Sequence, residues 1–341
     1  MPPTASPRAR LPGRPSLGKR HGNWAEQLQS PAGLASAAAL ALGAAAVFNW
    51  RAARAAERRN PPLGRFLQVA GVRLHYLEKG EGEPLVLLHG NGSMVQDWAT
   101  SGVIDGLAPR HRVIAFDRPG YGHSARPRDR LWTPEAQADL LAQALTRLGV
   151  SQAVVVGHSW GAMVAAAFAQ RHPERVGQLV LLSGYYFPSV RLDVALLSGP
   201  AVPVVGDLAR HTVAPLLTRL IWPLLMRKIF GPRKVPEKFN GFPREMVWRP
   251  KQIRASSEET ALMIPAAFRL RKGYGGLAMP VTIVAGEDDR VVSIDRQSAR
   301  LHAMVPRSRF HRVRNHGHMV HQTATKDVLA AIMDGMRAEP F

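Results

Sequence analysis

The residues that can do chemistry stand in four short segments. The first is Gly157-His158-Ser159-Trp160-Gly161, placed between the apolar run 154–156 and the small-residue stretch 162–170. If that context is strand, turn and helix, the flanking glycines give the backbone room for a sharp turn. The turn lifts the Ser159 hydroxyl above a sheet, and a helix N-terminus favours negative charge beside it. The second segment, His89-Gly90-Asn91-Gly92, follows the apolar run 85–88. A glycine-bearing turn there can aim a backbone N–H at a developing oxyanion. Asn91 N–H and Trp160 N–H would form a donor pair, each worth about 3 kcal/mol in a transition state.

The third segment, Gly286-Glu287-Asp288-Asp289, offers a carboxylate, and the fourth, His316-Gly317-His318-Met319-Val320-His321, offers an imidazole. His318 can take the Ser159 proton and return it to a leaving group, while the acid fixes the tautomer and stabilises the imidazolium. Either Asp288 or Asp289 can fill the acid's place. The three histidines at 316, 318 and 321 could also hold a metal, but no carboxylate stands beside them in the sequence. His316 and His321 are therefore read as structural, and neither metal nor cofactor is expected. The chain has no cysteine, which excludes a disulfide framework, cysteine-based metal sites and a thiol nucleophile.

These groups can meet only if the elements between them are arranged for it. Short apolar runs at 85–88, 113–116, 154–156, 179–182, 281–285 and 310–313 read as strands buried on both faces, as in a parallel sheet. Runs at 66–69 and 74–77 around Ala70-Gly71 read as an opening hairpin. Helical stretches near 95–108, 135–148, 160–171, 295–304 and 323–337 alternate with the strands, and Thr133-Pro134-Glu135 and Asp295 mark helix starts. Such alternation predicts an α/β fold, a doubly wound and mostly parallel sheet. The segment 185–275, rich in proline and basic apolar sequence, breaks the rhythm and reads as a helical cap inserted over one end of the sheet.

Serine, acid and histidine in that chain order, each after a strand, resemble the α/β-hydrolase superfamily over residues 65–341. The resemblance implies a core formed by 65–184 and 276–341 with the cap at 185–275. Asp117-Arg118-Pro119-Gly120-Tyr121-Gly122-His123-Ser124 looks like the family's loop after the next strand, and Gly317-His318 like its histidine dipeptide. The family's acid stands three residues past the loop glycine, which selects Asp289 over Asp288. Asn91 and Trp160 are also similar to halide-holding positions of the haloalkane dehalogenases. Those enzymes and the related epoxide hydrolases use an aspartate nucleophile, and a serine ether would be a dead end. The expected activity is hydrolysis of a small-molecule carboxylic ester, with a lipid-like or apolar acyl part, through an acyl-serine. Carbon–carbon bond hydrolysis or cofactor-free perhydrolysis on the same triad is the alternative. A non-catalytic binding protein on the same fold would be expected to lack a triad member.

The net charge of +20 is uneven: +7 falls in residues 1–60 and +9 in 185–275. Without interleaved aromatics or a reader motif, nucleic acid is not expected as a partner, and anionic lipid explains the pattern more simply. Residues 1–30 read as a disordered basic N-terminus, 31–50 as an apolar helix and 51–64 as a linker. The uncharged run 32–50, closed by Trp50, Arg51 and Arg54, suits a membrane anchor. A cleaved signal, an organelle presequence and a soluble helix fit the same run; a membrane-associated protein is expected, with a soluble, secreted or organelle-targeted one as the alternative.

Overall fold

In the computed structural model, residues 29–337 are described. They fall into two units, the first ending at Ala44 and the second beginning at Ala45. The disordered N-terminus expected for 1–30 lies, up to residue 28, outside the described residues.

The second unit is built on an eight-stranded sheet: β1 (Arg65–Val69), β2 (Val72–Lys79), β3 (Glu83–Leu88), β4 (His111–Phe116), β5 (Ala153–His158), β6 (Val176–Leu182), β7 (Val281–Gly286) and β8 (Ser308–Val313). Its spatial order is β1-β2-β4-β3-β5-β6-β7-β8. The β1–β2 hairpin and the β2–β4 pair are antiparallel, and every pair from β4 to β8 is parallel. The hairpin closes through Ala70 and Gly71, both at positive φ, as a two-residue turn matched to strand twist requires.

Alternate residues of the central strands feed two apolar layers. Val86 and Val155 pack with helices Pro134–Arg147 and Trp160–Arg171 on one face. Leu85, Leu87, Val154 and Val156 pack with helices Val95–Ser101 and Thr325–Arg337 on the other. The helical stretch expected at 95–108 is broken at Gly102, which is left-handed with φ 82°. Thr133 caps the next helix, its hydroxyl accepting from Ala136 N–H at 3.2 Å. One strand departs from expectation. β8 is half exposed, with a burial pattern unlike the wholly buried β5 and β7, because it is the sheet's edge and carries Arg309 and Arg312.

Between β6 and β7 the chain makes a helical insert with long helices at Val213–Phe230 and Pro250–Leu270. A further helix, Pro31–Arg59, runs nine residues past Trp50, so the stretch read as a linker is helical as far as Arg59. Packing explains this. Asn49 Nδ2 donates to the His211 and Thr212 carbonyls at 3.1 and 2.7 Å, Arg249 pairs with Glu57 at 2.7 Å, and Ala56 is buried among Met226, Phe230 and Met246 of the insert. Among the described residues, Pro31–Arg59 is the one helix long and apolar enough to cross a membrane, a test that a signal sequence also passes.

Candidate active site

β5 is buried along its whole length, and the chain leaves it at Ser159, which has φ 54° and ψ −116° and precedes the helix Trp160–Arg171. A non-glycine residue held there costs on the order of 1–3 kcal/mol, and the surroundings must over-determine it. They do. Ser159 N–H donates to the Leu182 carbonyl at 2.9 Å. The place a Cβ would take on Gly161 is filled by the Leu88 and His89 carbonyls, and that on Gly157 by the Gly161 carbonyl. Both flanking positions therefore require glycine.

Three of the residues selected from the sequence meet here in one hydrogen-bonded series. Ser159 Oγ–H donates to His318 Nε2 at 2.9 Å, and His318 Nδ1–H donates to Asp289 Oδ2 at 2.7 Å. A carboxylate only accepts, so the Asp289 contact fixes which ring nitrogen carries the proton. Asp289 Oδ1 is held in turn by the Val291 and Val292 N–H groups at 2.7 and 3.0 Å. The side chains of His318 and Asp289 are 6% and 1% exposed. Asp288 is exposed, and its backbone N–H serves the His316 carbonyl, so the two neighbouring aspartates stand in opposite environments.

The structure places Gly90 directly against the serine: a Cβ built on it would lie 3.2 Å from Ser159 Cβ. Asn91 follows Gly90, and its side chain is turned toward the insert, with Nδ2 donating to Ser256 O at 3.1 Å and Thr260 Oγ1 at 3.0 Å. Trp160 opens its helix, so its N–H is among the N-terminal groups with no intrahelical acceptor.

The remaining histidines have other partners. His316 contacts the Arg314 and Thr323 carbonyls at 2.7 and 3.1 Å. His321 is buried, with Nε2 3.0 Å from Asp97 Oδ1 and its ring 4.3 Å from that of His158. Asp97, His158 and His321 each present a potential ligand atom within 4.8 Å of the others. Some of these atoms are engaged inside the protein, while His158 Nδ1 and His321 Nδ1 are buried without a hydrogen-bond partner. Asp97 accepts from Ser93 Oγ and Gln322 Nε2, and His158 Nε2–H donates to the His318 carbonyl at 3.0 Å. Burial, with the nearby His321 and His318, holds His158 well below its ordinary range, so it stays neutral and keeps that bond. His158, to which the sequence reading gives no role, ties the strand that leads to Ser159 to the backbone of His318.

Beside the acid loop a cleft of about 420 Å³ opens between Arg191 and Lys228 of the insert and Val291, Val292 and Arg296 of the core.

Comparison with known proteins bears on this arrangement. Residues 83–325 match the alpha/beta hydrolase fold family. This chain belongs to that family. It is 40% identical over 136 residues to the 2-hydroxymuconate semialdehyde hydrolase of Pseudomonas sp. (strain CF600), a match covering 39% of this chain and 48% of the relative; the chain thus spans about half the length of that relative. It is 28% identical over 290 residues to the 2-hydroxy-6-oxo-2,4-heptadienoate hydrolase of Pseudomonas putida, covering 82% of this chain and 98% of the relative. Among solved structures, a thermophilic esterase from Thermogutta terrifontis superposes with TM-score 0.67 at 22% identity, covering 80% of this chain and 98% of the esterase. A membrane phospholipase A superposes with TM-score 0.62 at 23% identity, covering 89% of this chain and 97% of that one. At these identities the two structures are likenesses of fold.

Proposed function

We propose that this α/β hydrolase cleaves a carboxylic ester with an apolar acyl or alkyl part through an acyl-serine intermediate. The observation that carries the reading is the Ser159–His318–Asp289 series, with the serine held strained at the strand-to-helix turn. His318 Nε2 takes the hydroxyl proton as Ser159 Oγ attacks the substrate carbonyl. The carbonyl oxygen becomes an oxyanion beside the Asn91 and Trp160 N–H groups. As the intermediate collapses, His318 returns the proton to the leaving alcohol. Water, activated by the same imidazole, then attacks the acyl-enzyme and releases the acid. Neither metal nor organic cofactor enters any of these steps.

An apolar substrate is favoured by the surface of the insert. Val190, Leu192, Leu196, Val204, Leu220 and Leu224 are between 66% and 95% exposed, within a segment carrying net charge +9. Together with the apolar helix Pro31–Arg59, this supports an enzyme that works at an anionic lipid surface. A second reading, carbon–carbon bond hydrolysis, is favoured by the relatives named as hydrolases of 2-hydroxymuconate semialdehyde and 2-hydroxy-6-oxo-2,4-heptadienoate.

Fluorophosphonate labelling tests the nucleophile: the wild type takes up the probe and Ser159→Ala does not. Undiminished labelling of Ser159→Ala would place the reactive group elsewhere. A p-nitrophenyl ester series of rising chain length, run beside 2-hydroxy-6-oxo-2,4-heptadienoate, separates the two chemistries. Turnover that rises with acyl length and is absent on the dienoate is expected; the reverse pattern would give the site to carbon–carbon cleavage.

A further inference from the structure

The geometry points to a buried device that aims the oxyanion donor: His89, Arg118 and Glu259 fix the Gly90–Asn91 peptide, so that the donor depends on the insert being seated on the core. This inference rests on the ester-hydrolase reading and adds positioning residues to it.

In a trans peptide the C=O and N–H groups point in opposite directions, so whatever holds the Gly90 carbonyl also sets the Asn91 N–H. That carbonyl is held from three sides. His89 Nδ1–H donates to it at 2.8 Å, Arg118 Nη2–H at 2.9 Å, and Ser93 N–H reaches it at 3.4 Å. Arg118 also grips the preceding peptide, its Nε–H donating to the His89 carbonyl at 2.8 Å and its N–H to His89 Nε2 at 3.0 Å. Burial and the adjacent guanidinium push His89 down to about 3. The ring is therefore neutral, and it can donate from Nδ1 while accepting at Nε2.

Arg118 is 2% exposed, and the counter-charge to its guanidinium comes from the insert. Glu259 on Pro250–Leu270 is fully buried; it accepts from Arg118 Nη1 through Oε1 and from Nη2 through Oε2, the latter at 3.1 Å. Gln137 Nε2 donates to the same carboxylate at 2.9 Å. The Tyr121 hydroxyl lies 2.6 Å from Glu259 Oε2 and 2.9 Å from Asn91 Oδ1, and the Asn91 amide reaches Ser256 and Thr260, one turn apart on that helix. One insert helix thus neutralises the arginine that orients the peptide and clasps the side chain of the donor residue itself. Lifting this helix would leave Arg118 buried without its partner and release both constraints on Asn91.

The test compares wild type with Glu259→Gln, each normalised to the sites that a fluorophosphonate titrates, on a soluble p-nitrophenyl ester and a trifluoromethyl ketone that forms an oxyanion on the serine. Outright removal of a donor lowers kcat by about 100- to 1000-fold, and misaiming it here lowers kcat by about 10- to 100-fold. KM stays within about twofold, and the ketone's inhibition constant rises by the same factor as kcat falls. Glu259→Asp, which keeps the charge, recovers most of the loss. Per-site kcat within twofold of wild type, or a loss with the ketone's inhibition constant unchanged, overturns the inference. If Glu259→Gln does not fold, Tyr121→Phe removes the hydroxyl between Glu259 and Asn91 without stranding a charge. There a parallel fall in kcat and in ketone affinity supports the inference, and no change in either overturns it. A wild type that neither labels nor binds the ketone sinks the hydrolase reading itself, whereas a labelled wild type with an indifferent Glu259→Gln sinks only this step.

Discussion

Two adjacent aspartates show how far environment separates identical side chains. Asp289 is enclosed, with one oxygen on His318 and the other on two backbone N–H groups, while Asp288 faces solvent. A carboxylate so held can fix the imidazole tautomer and stabilise the imidazolium, whereas an exposed one does neither. On the proposed mechanism Asp289→Asn lowers kcat by about 10⁴-fold, as expected when the tautomer is lost. Asp288→Asn changes it by about twofold or less, since exposed substitutions away from special features shift energies by about 0.5 kcal/mol. Steady-state kinetics on one soluble ester checks both, and a large effect at position 288 would reverse the assignment.

At the scale of elements, two helices of the insert differ in what they bury and what they expose. Pro250–Leu270 turns inward, burying Glu259 and Thr260 against the loops after β3 and β4. Val213–Phe230 leaves Leu217, Leu220 and Leu224 exposed, and it ends where the Ile229 carbonyl accepts from His318 N–H at 3.1 Å. A leucine moved from water into lipid gains about 1.5–3 kcal/mol. Replacing Leu220 and Leu224 by Ser should therefore weaken binding to anionic phosphatidylglycerol vesicles by at least about tenfold. The same pair should leave kcat on a soluble ester unaltered. Sedimentation with vesicles measures the first and a spectrophotometric assay the second. Unchanged sedimentation would remove this helix from any lipid contact.

The whole molecule carries a pH signature in its buried histidines. His89 is pushed down to about 3, and His158 is also held low, while both return to about 6.5 in the unfolded chain. Between those values the unfolded state binds more protons than the folded one, so stability is fully present above about pH 6.5 and falls as pH drops toward 3. Each such group contributes a slope of about 1.4 kcal/mol per pH unit. Denaturant unfolding between pH 4 and 7 should show midpoints falling steadily toward acid, and His89→Asn should flatten the slope. A flat wild-type profile would mean that neither ring is held neutral.

The serine turn, the order serine–acid–histidine and the strand–helix alternation could be read from the chain because each is local: spacing, glycine and hydrophobic period act over a few residues. The choice of Asp289 over Asp288 came from a family likeness, and its physical reason, burial against two N–H groups, is a tertiary fact. The edge exposure of β8 and the helical continuation to Arg59 were also settled by what packs beside them. Arg118 stood in plain view within its motif, yet its partner lies 141 residues away on the insert. No local pattern pairs an arginine with one glutamate among many. Local chemistry fixed which groups are available, and long-range packing decided which of them meet in the absence of water.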